Sequence, residues 1–288
     1  MLKKDKWLVT IDLDGTLLKS KDINQEENYS FNEKNLEIIN KVIDKGHKVA
    51  IVTGRPWEDT KPIYEALGLK TIVSCFNGAH IHYPENDSFI PITYSINKSI
   101  MQELFQEESI KKIANSYVVE TLKNTYITDD SKESLLHRVN SIGTKNRITW
   151  KVGDDIPYNP QSILIGIDYD EVDPYDVINE LRRKYGDALF FRLWDGRKYG
   201  WLVLEINQKA ANKGTSLEDI AAYYNIPLSN TIAFGDGMND REMLLTAGRG
   251  VAMKNAIGTV KSYADDVTDF TNDDAGVGIY LKDFFNIK

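Results

Sequence analysis

Trp7-Leu8-Val9-Thr10-Ile11-Asp12-Leu13-Asp14-Gly15-Thr16 is the stretch on which the reading of this chain turns. Its first five residues form an almost unbroken apolar run, as expected of a strand covered on both faces. Asp12 and Asp14 then close the run. Residues two apart on a strand share a face, with Cα atoms about 6.6 Å apart. In open parallel sheets, ligands bind at the carboxyl ends of strands, and Gly15 lets the chain turn sharply there. The pair fits either a hard-cation site or a turn carrying solvated aspartates. An EF-hand fits the spacing less well: counted from Asp12, glycine comes fourth rather than sixth, and Ile23 stands where the bidentate glutamate belongs.

Outward from this strand, the chain alternates. A helix is expected near Asn32 to Lys45, with Leu36, Ile39 and Ile43 on one stripe and Gly46 as its stop. Lys48 to Thr53 reads as a second buried strand, Pro56 to Leu67 as a helix closed by Gly68, and Thr71 to Ser74 as a third strand. Strands alternating with helices point to right-handed crossovers in a parallel, doubly wound sheet. From about Tyr83 to Ile206 strands dominate: Phe89–Thr93, Tyr117–Leu122, Thr125–Thr128, Ile163–Asp168, Leu189–Trp194 and Trp201–Ile206. Asp173-Pro174 opens a helix there, as N-cap and first helical residue. Alternation resumes with a helix near Lys213 to Tyr224, the strand Thr231 to Phe234, a helix, and Gly250-Val251-Ala252-Met253. The expected fold is α/β: a Rossmann-like parallel-sheet core over 1–82 and 207–288, interrupted by an inserted α+β cap domain over 83–206.

Bulk properties narrow the function. The 288 residues suit two domains at roughly 150 each. Lys and Arg total 35 against 43 Asp and Glu, a formal charge of −8. Such a chain repels phosphate backbones, so no nucleic-acid partner is expected. A phosphate-bearing ligand must then be met by a few local cations, dipoles or a metal. A single cysteine, Cys75, precludes an internal disulfide framework and suits a reducing compartment. No run approaches the ~18 apolar residues of a membrane span, and the basic start meets Asp12 too soon for a signal sequence. A cytoplasmic protein with no membrane partner is expected.

Three further stations carry chemistry. The second strand ends in Thr53-Gly54-Arg55-Pro56, where a hydroxyl, an unencumbered amide and a helix N-terminus converge as anion-binding sites do. Plain strand-to-helix geometry also uses Thr and Gly. The strand from Thr231 ends in Gly235-Asp236-Gly237-Met238-Asn239-Asp240. Asn239 with Glu242 resembles a capping box, and Gly248 marks the helix stop. Capping does not account for Asp236 between two glycines. Carboxylates from two strands at one sheet edge match the way Mg²⁺ is held by a few oxygens. Lys213, in Asn212-Lys213-Gly214-Thr215, begins a helix. A cation in the first turn opposes the helix dipole, at a cost of a few tenths to about 1 kcal/mol. Local conflicts of this kind concentrate at functional sites, although a solvated surface lysine is the alternative.

Together these stations resemble the haloacid dehalogenase superfamily, whose signature is Asp-x-Asp-x-Thr, a Thr or Ser closing the second strand, a Lys, and Gly-Asp-x-x-x-Asp. Within it the chain is similar to the Cof-type sugar-phosphate phosphatases. Asn77-Gly78-Ala79, Leu204-Glu205-Ile206 and Val251-Ala252-Met253-Lys254-Asn255-Ala256 fit that subgroup. The resemblance implies a Mg²⁺-dependent phosphatase acting on monoesters of a small phosphorylated metabolite. Asp12 would be the nucleophile that becomes an aspartyl-phosphate. Asp14 would be the acid and base; Asp12 and Asp236 by side chain and Asp14 by its carbonyl would hold the metal. Leu13 (by its amide), Thr53, Gly54, Lys213 and Asn239 would hold phosphate, with Asp240 behind them fixing Lys213 or a metal-bound water. Phosphotransfer between sugar hydroxyls and a non-catalytic phosphometabolite-binding module are the alternatives.

Other residues are assigned to the framework. His80 and His82 share a face but have no third ligand nearby in sequence, and Cys75 reads as packing. Trp150, Phe190, Phe191, Trp194 and Trp201 read as mostly core, whereas Arg192, Asp195 and Arg197 are candidates to read the leaving group.

Overall fold

A computed structural model describes residues 6–20, 29–128, 146–168, 173–197 and 200–288. In chain order, the first elements are β1 (Leu8–Ile11), α1 (Glu33–Asp44), β2 (Lys48–Ile51), α2 (Trp57–Ala66), β3 (Val73–Cys75) and β4 (His80–His82). Next come β5 (Ile92–Thr93), α3 (Lys98–Gln106), α4 (Glu108–Ile113), β6 (Ala114–Glu120), β7 (Thr125–Ile127), β8 (Arg147–Thr149) and β9 (Ser162–Ile167). Then follow α5 (Pro174–Tyr185), β10 (Leu189–Gly196), β11 (Trp201–Gln208), α6 (Lys213–Tyr224), β12 (Thr231–Gly235) and α7 (Arg241–Thr246). The last are β13 (Arg249–Ala252), α8 (Gly258–Lys261), β14 (Asp266–Val267) and α9 (Gly276–Phe284). The chain divides into two compact units, one of Met1–Gly54, Thr60–Pro91 and Asn212–Lys288, the other of Arg55–Asp59 and Ile92–Ala211.

The first unit is built on a five-stranded sheet, β14-β13-β12-β1-β2, parallel at every pairing. β1 and β12 are buried at all positions, as expected of largely apolar strands covered on both faces. Helix α1 packs on α9 and α6 on α7. Asn32 caps α1 by accepting from the Lys34 amide, and Gly46, at φ +90°, follows its end. β3 joins the sheet only through a parallel bridge from Ser74 to Val52, then turns back to pair antiparallel with β4. The third strand, expected over Thr71–Ser74, spans Val73–Cys75.

The second unit holds a six-stranded sheet, β10-β11-β9-β6-β7-β8, antiparallel except between β7 and β8. Its main core joins Met101, Leu104, Phe105, Ile110 and Ile113 of α3 and α4, and Val177, Ile178 and Leu181 of α5, to one sheet face. The opposite face carries a smaller cluster of Val118, Ile127, Leu164 and Val203. As expected, Asp173 caps α5 and Pro174 begins it. Helices α3 and α4 were not anticipated, and the strand expected at 89–93 is reduced to two residues. Trp150 and Phe191 are buried in the main core, whereas Phe190, Trp194 and Trp201 are half-buried. Among the described residues, no helix is long and apolar enough to cross a membrane.

Candidate active site

Strands β12, β1 and β2 end together: Ile11 lies between Phe234 and Ile51 in the register. The Asp12 amide donates to the Phe234 carbonyl at 3.1 Å, and the Val52 amide to that of Ile11 at 3.0 Å. Asp12, Thr53 and Asp236 thus leave adjacent strands at one edge. The sheet grows from β1 to β2 on one side and through β12, β13 and β14 on the other, so this edge is a topological switch point, where such sheets bind ligands.

Leu13–Leu17 makes a single irregular turn after Asp12, with Asp14 extended and Gly15 left-handed at φ +73°. A Cβ on Gly15 would stand 2.3 Å from Asp236 Oδ2, so only glycine lets the turn lie against that carboxylate. Thr16 Oγ1 donates to Asp236 Oδ1 at 3.0 Å, and Asn255 Nδ2 to the Gly15 carbonyl at 2.7 Å. The Leu13 side chain is fully buried, and its carbonyl accepts from the Leu18 amide. Asp14 is half-buried, and its charge acts on Asp236.

Lys213 opens α6 behind its N-cap Asn212 and is 0% exposed, so it is no solvated surface lysine. Its Nζ donates at 2.6 Å to Asp12 Oδ1 and at 2.6 Å to Asp240 Oδ1. The cost of a cation in the first turn is offset by two buried carboxylates. Asp240 in turn accepts the Asp236 and Gly237 amides on Oδ2, both at 2.9 Å. This overturns the expected capping box of Asn239 and Glu242. Asn239 lies inside the short turn Met238–Asp240 ahead of α7, and its Nδ2 donates to Asn77 Oδ1 at 2.9 Å. Helix α7 begins only at Arg241, with Asp240 in the N-cap place, so Asn239 stands a residue too early to cap it.

Thr53 is buried at the end of β2, its amide donating to the Ser74 carbonyl and its carbonyl accepting from Asn77. Asn77, Thr16 and Asn255 are the residues to which sequence reasoning gave no role. Asn77-Gly78 and Asn255 stood only as matches to a family pattern, and nothing local shows that either reaches the site.

Asp12, Asp236 and Asp240 offer carboxylate oxygens within 4.8 Å of one another. Burial, then the charge of Asp240, pushes Asp12 well above the ordinary carboxylate range, the attraction of Lys213 notwithstanding. Burial and Asp240 likewise raise Asp236 to about 7. Burial works against the charge on Lys213, but Asp12 and Asp240 lift it above the usual lysine range. Carboxylates this crowded and this reluctant to ionise suit a hard divalent cation with oxygen ligands. Both oxygens of Asp240 already hold hydrogen bonds, which leaves Asp12 and Asp236 as the better side-chain ligands.

His80 and His82 stack at 4.7 Å between ring centroids, and burial lowers them to about 4 and about 3. Among the described residues, neither belongs to a metal-spaced group. Cys75 is buried beside Thr60, and its thiol is pushed up to about 12. In the second unit, Arg192 donates to Glu205 at 2.8 Å in a buried pair that also takes the Trp194 indole N–H. Asp195 and Arg197 pair with each other at 2.6 Å in an exposed position.

A buried Asp–Lys–Asp chain beside a further acid thus stands at the switch point of a parallel sheet in an α/β unit, and the comparisons say which class of enzyme it belongs to. The family model for haloacid dehalogenase-like hydrolase matches residues 9–281. A 5-amino-6-(5-phospho-D-ribitylamino)uracil phosphatase of Bacillus subtilis is 32% identical, over 98% of this chain and 98% of its own. Phosphatase YwpJ of the same organism is 31% identical, over 96% and 98% respectively. A solved haloacid dehalogenase-like hydrolase from B. subtilis superposes with a TM-score of 0.74 at 28% identity, covering 96% of this chain and 98% of that one. The chain belongs to the haloacid dehalogenase-like hydrolase family and is an enzyme of phosphoric monoester hydrolase type.

Proposed function

We propose that this protein hydrolyses phosphate monoesters of small metabolites, with Mg²⁺, through a phosphoryl group carried on Asp12. The observation that carries the reading is Asp12 itself: buried, 2.6 Å from Lys213, with Asp236 beside it. Mg²⁺, held by Asp12 and Asp236 with the Asp14 carbonyl, would offset the repulsion between a carboxylate and a dianionic phosphate.

Each remaining role falls to a residue of the chain. Asp12 attacks phosphorus, an Asp12–phosphorus bond forms, and the ester P–O bond breaks. The Asp14 carboxyl passes its proton to the departing alkoxide. It then takes a proton from water, which attacks the same phosphorus, releasing inorganic phosphate and restoring Asp12. Thr53, Gly54, Asn239 and the Leu13 amide hold the phosphate oxygens, while Lys213 orients Asp12 and neutralises part of the crowded acids. Asp240 keeps Lys213 in place and ties down the Asp236-Gly237 backbone. The insertion over 83–206 is proposed as the cap that selects the ester.

A phosphate-release screen over a broad library of phosphorylated metabolites, with Mg²⁺ and with EDTA, tests the reading. Release with Mg²⁺ and none with EDTA is expected. Movement of phosphate to another hydroxyl instead of water would make the protein a mutase, and no turnover of any compound would leave a binding module.

A further inference from the structure

We propose that Asn77 is a positioning residue for phosphate, acting through Asn239; the proposal rests on the phosphatase reading above. Directly after β3 the backbone enters the left-handed region twice, at Phe76 (φ 52°) and Asn77 (φ 53°). Asparagine visits this region readily, but for an aromatic residue it costs roughly 1–2 kcal/mol. Such strain persists only where the surroundings over-determine it, and it clusters at functional sites.

The double turn delivers Asn77, 3% exposed, to three of the residues proposed to hold phosphate. Its amide N–H donates to the Thr53 carbonyl at 2.9 Å. Its side-chain amide lies on Gly54, where a Cβ would stand 3.2 Å from Oδ1 and 3.3 Å from Nδ2. Its Oδ1 accepts from Asn239 Nδ2 at 2.9 Å. That last contact decides which end of the Asn239 amide is which. With Nδ2 committed to Asn77, Oδ1 turns toward Gly237, where an added Cβ would sit 2.5 Å from it. An amide nitrogen has two hydrogens, and the second on Asn239 has no partner among the described residues. It is the hydrogen available to an anion. Without Asn77, the amide is free to rotate and present its oxygen, which repels phosphate.

The test uses the full-length protein with a generic aryl phosphate ester as substrate and inorganic phosphate as competitive inhibitor. Asn77→Gly keeps the left-handed turn and removes the amide; Asn77→Ser, too short to reach Asn239, serves if glycine loosens the fold. In either folded variant KM and the phosphate inhibition constant should rise about tenfold, the worth of one neutral hydrogen bond. The Mg²⁺-induced thermal shift should stay at the wild-type value, which a general structural defect would also lower. Adding Asn77→Gly to Asn239→Ala should weaken phosphate no further than Asn239→Ala alone. Independent, multiplying penalties in the double variant, or an unchanged inhibition constant in the single one, overturn the proposal. A wild-type protein that neither binds phosphate nor turns over an ester would instead sink the phosphatase reading.

Discussion

Lys213 shows how much one residue carries here. Its Nζ stands between Asp12 and Asp240, none of the three more than slightly exposed. Removing one partner of a buried ionic cluster usually costs about 3–5 kcal/mol, because a charge is left uncompensated. Lys213→Met should therefore lower stability by about 3 kcal/mol or more in urea titrations with EDTA and abolish turnover. Asp12→Asn in that background should recover part of the loss, since it removes one of the two stranded carboxylates; no recovery would mean that repulsion between them is not the cause. The sequence pointed to Lys213 through a local conflict, a cation in the first turn of a helix. Its partners were not legible as contacts: Asp12 is 201 residues away and Asp240 27, and only the family pattern linked them.

At the level of elements, the Leu13–Leu17 turn and the β10–β11 pair make separate demands. Gly15→Ala adds a methyl group against Asp236 at a left-handed position, so the turn must shift or the carboxylate must. The expected result is a loss of about 1–3 kcal/mol, together with disappearance of the Mg²⁺-dependent rise in thermal midpoint. A variant with a normal Mg²⁺ response would show that the turn can give way without disturbing Asp236. In the second unit, Glu205→Ala strands the buried Arg192 guanidinium and should cost about 3–5 kcal/mol by chemical denaturation. Elements bounded by clear caps and glycines were read well, among them α1, α5 and α6. Those missed were short. Helix α3 does carry a helical signal, Met101, Leu104 and Phe105 behind the capping Asn97, but over nine residues it was overlooked in a strand-rich region; α4, of six residues, is too short to show a period. The three-residue β8 is likewise too brief for alternation to emerge. The switch-point edge was legible because strand ends and acids coincide in the sequence. The Asn77–Asn239 contact was not, since 162 residues separate its partners.

For the molecule as a whole, the crowded acids tie stability to pH and metal. A carboxyl whose folded pKa is raised binds its proton more tightly in the folded state than in the unfolded. Its contribution is fully present below the unfolded value of 3.8 and is lost as pH rises through the folded value, about 7 for Asp236. Asp12 is raised in the same direction. Without metal, this contribution should fall between about pH 4 and pH 8. Mg²⁺ requires the ionised carboxylates, so its thermal shift should be larger at pH 8 than at pH 6. Differential scanning fluorimetry with EDTA and with Mg²⁺ at both pH values measures this; equal shifts would mean that Asp236 does not govern the metal site. The net charge of −8 sharpens the same point, since an acidic chain depends on local devices to hold an anion.

The order of strands bears on how the protein is made. β1 is synthesised long before one of its two hydrogen-bonded neighbours, β12, with Leu8 opposite Thr231. Throughout synthesis of the intervening residues, that flank of β1 has no native strand to pair with. The inserted sheet, by contrast, has all its strands within one continuous stretch and can close early. A nascent chain stalled before Thr231 should thus present a folded insertion tethered to an unfinished core, the state in which chaperone engagement and misassembly are decided.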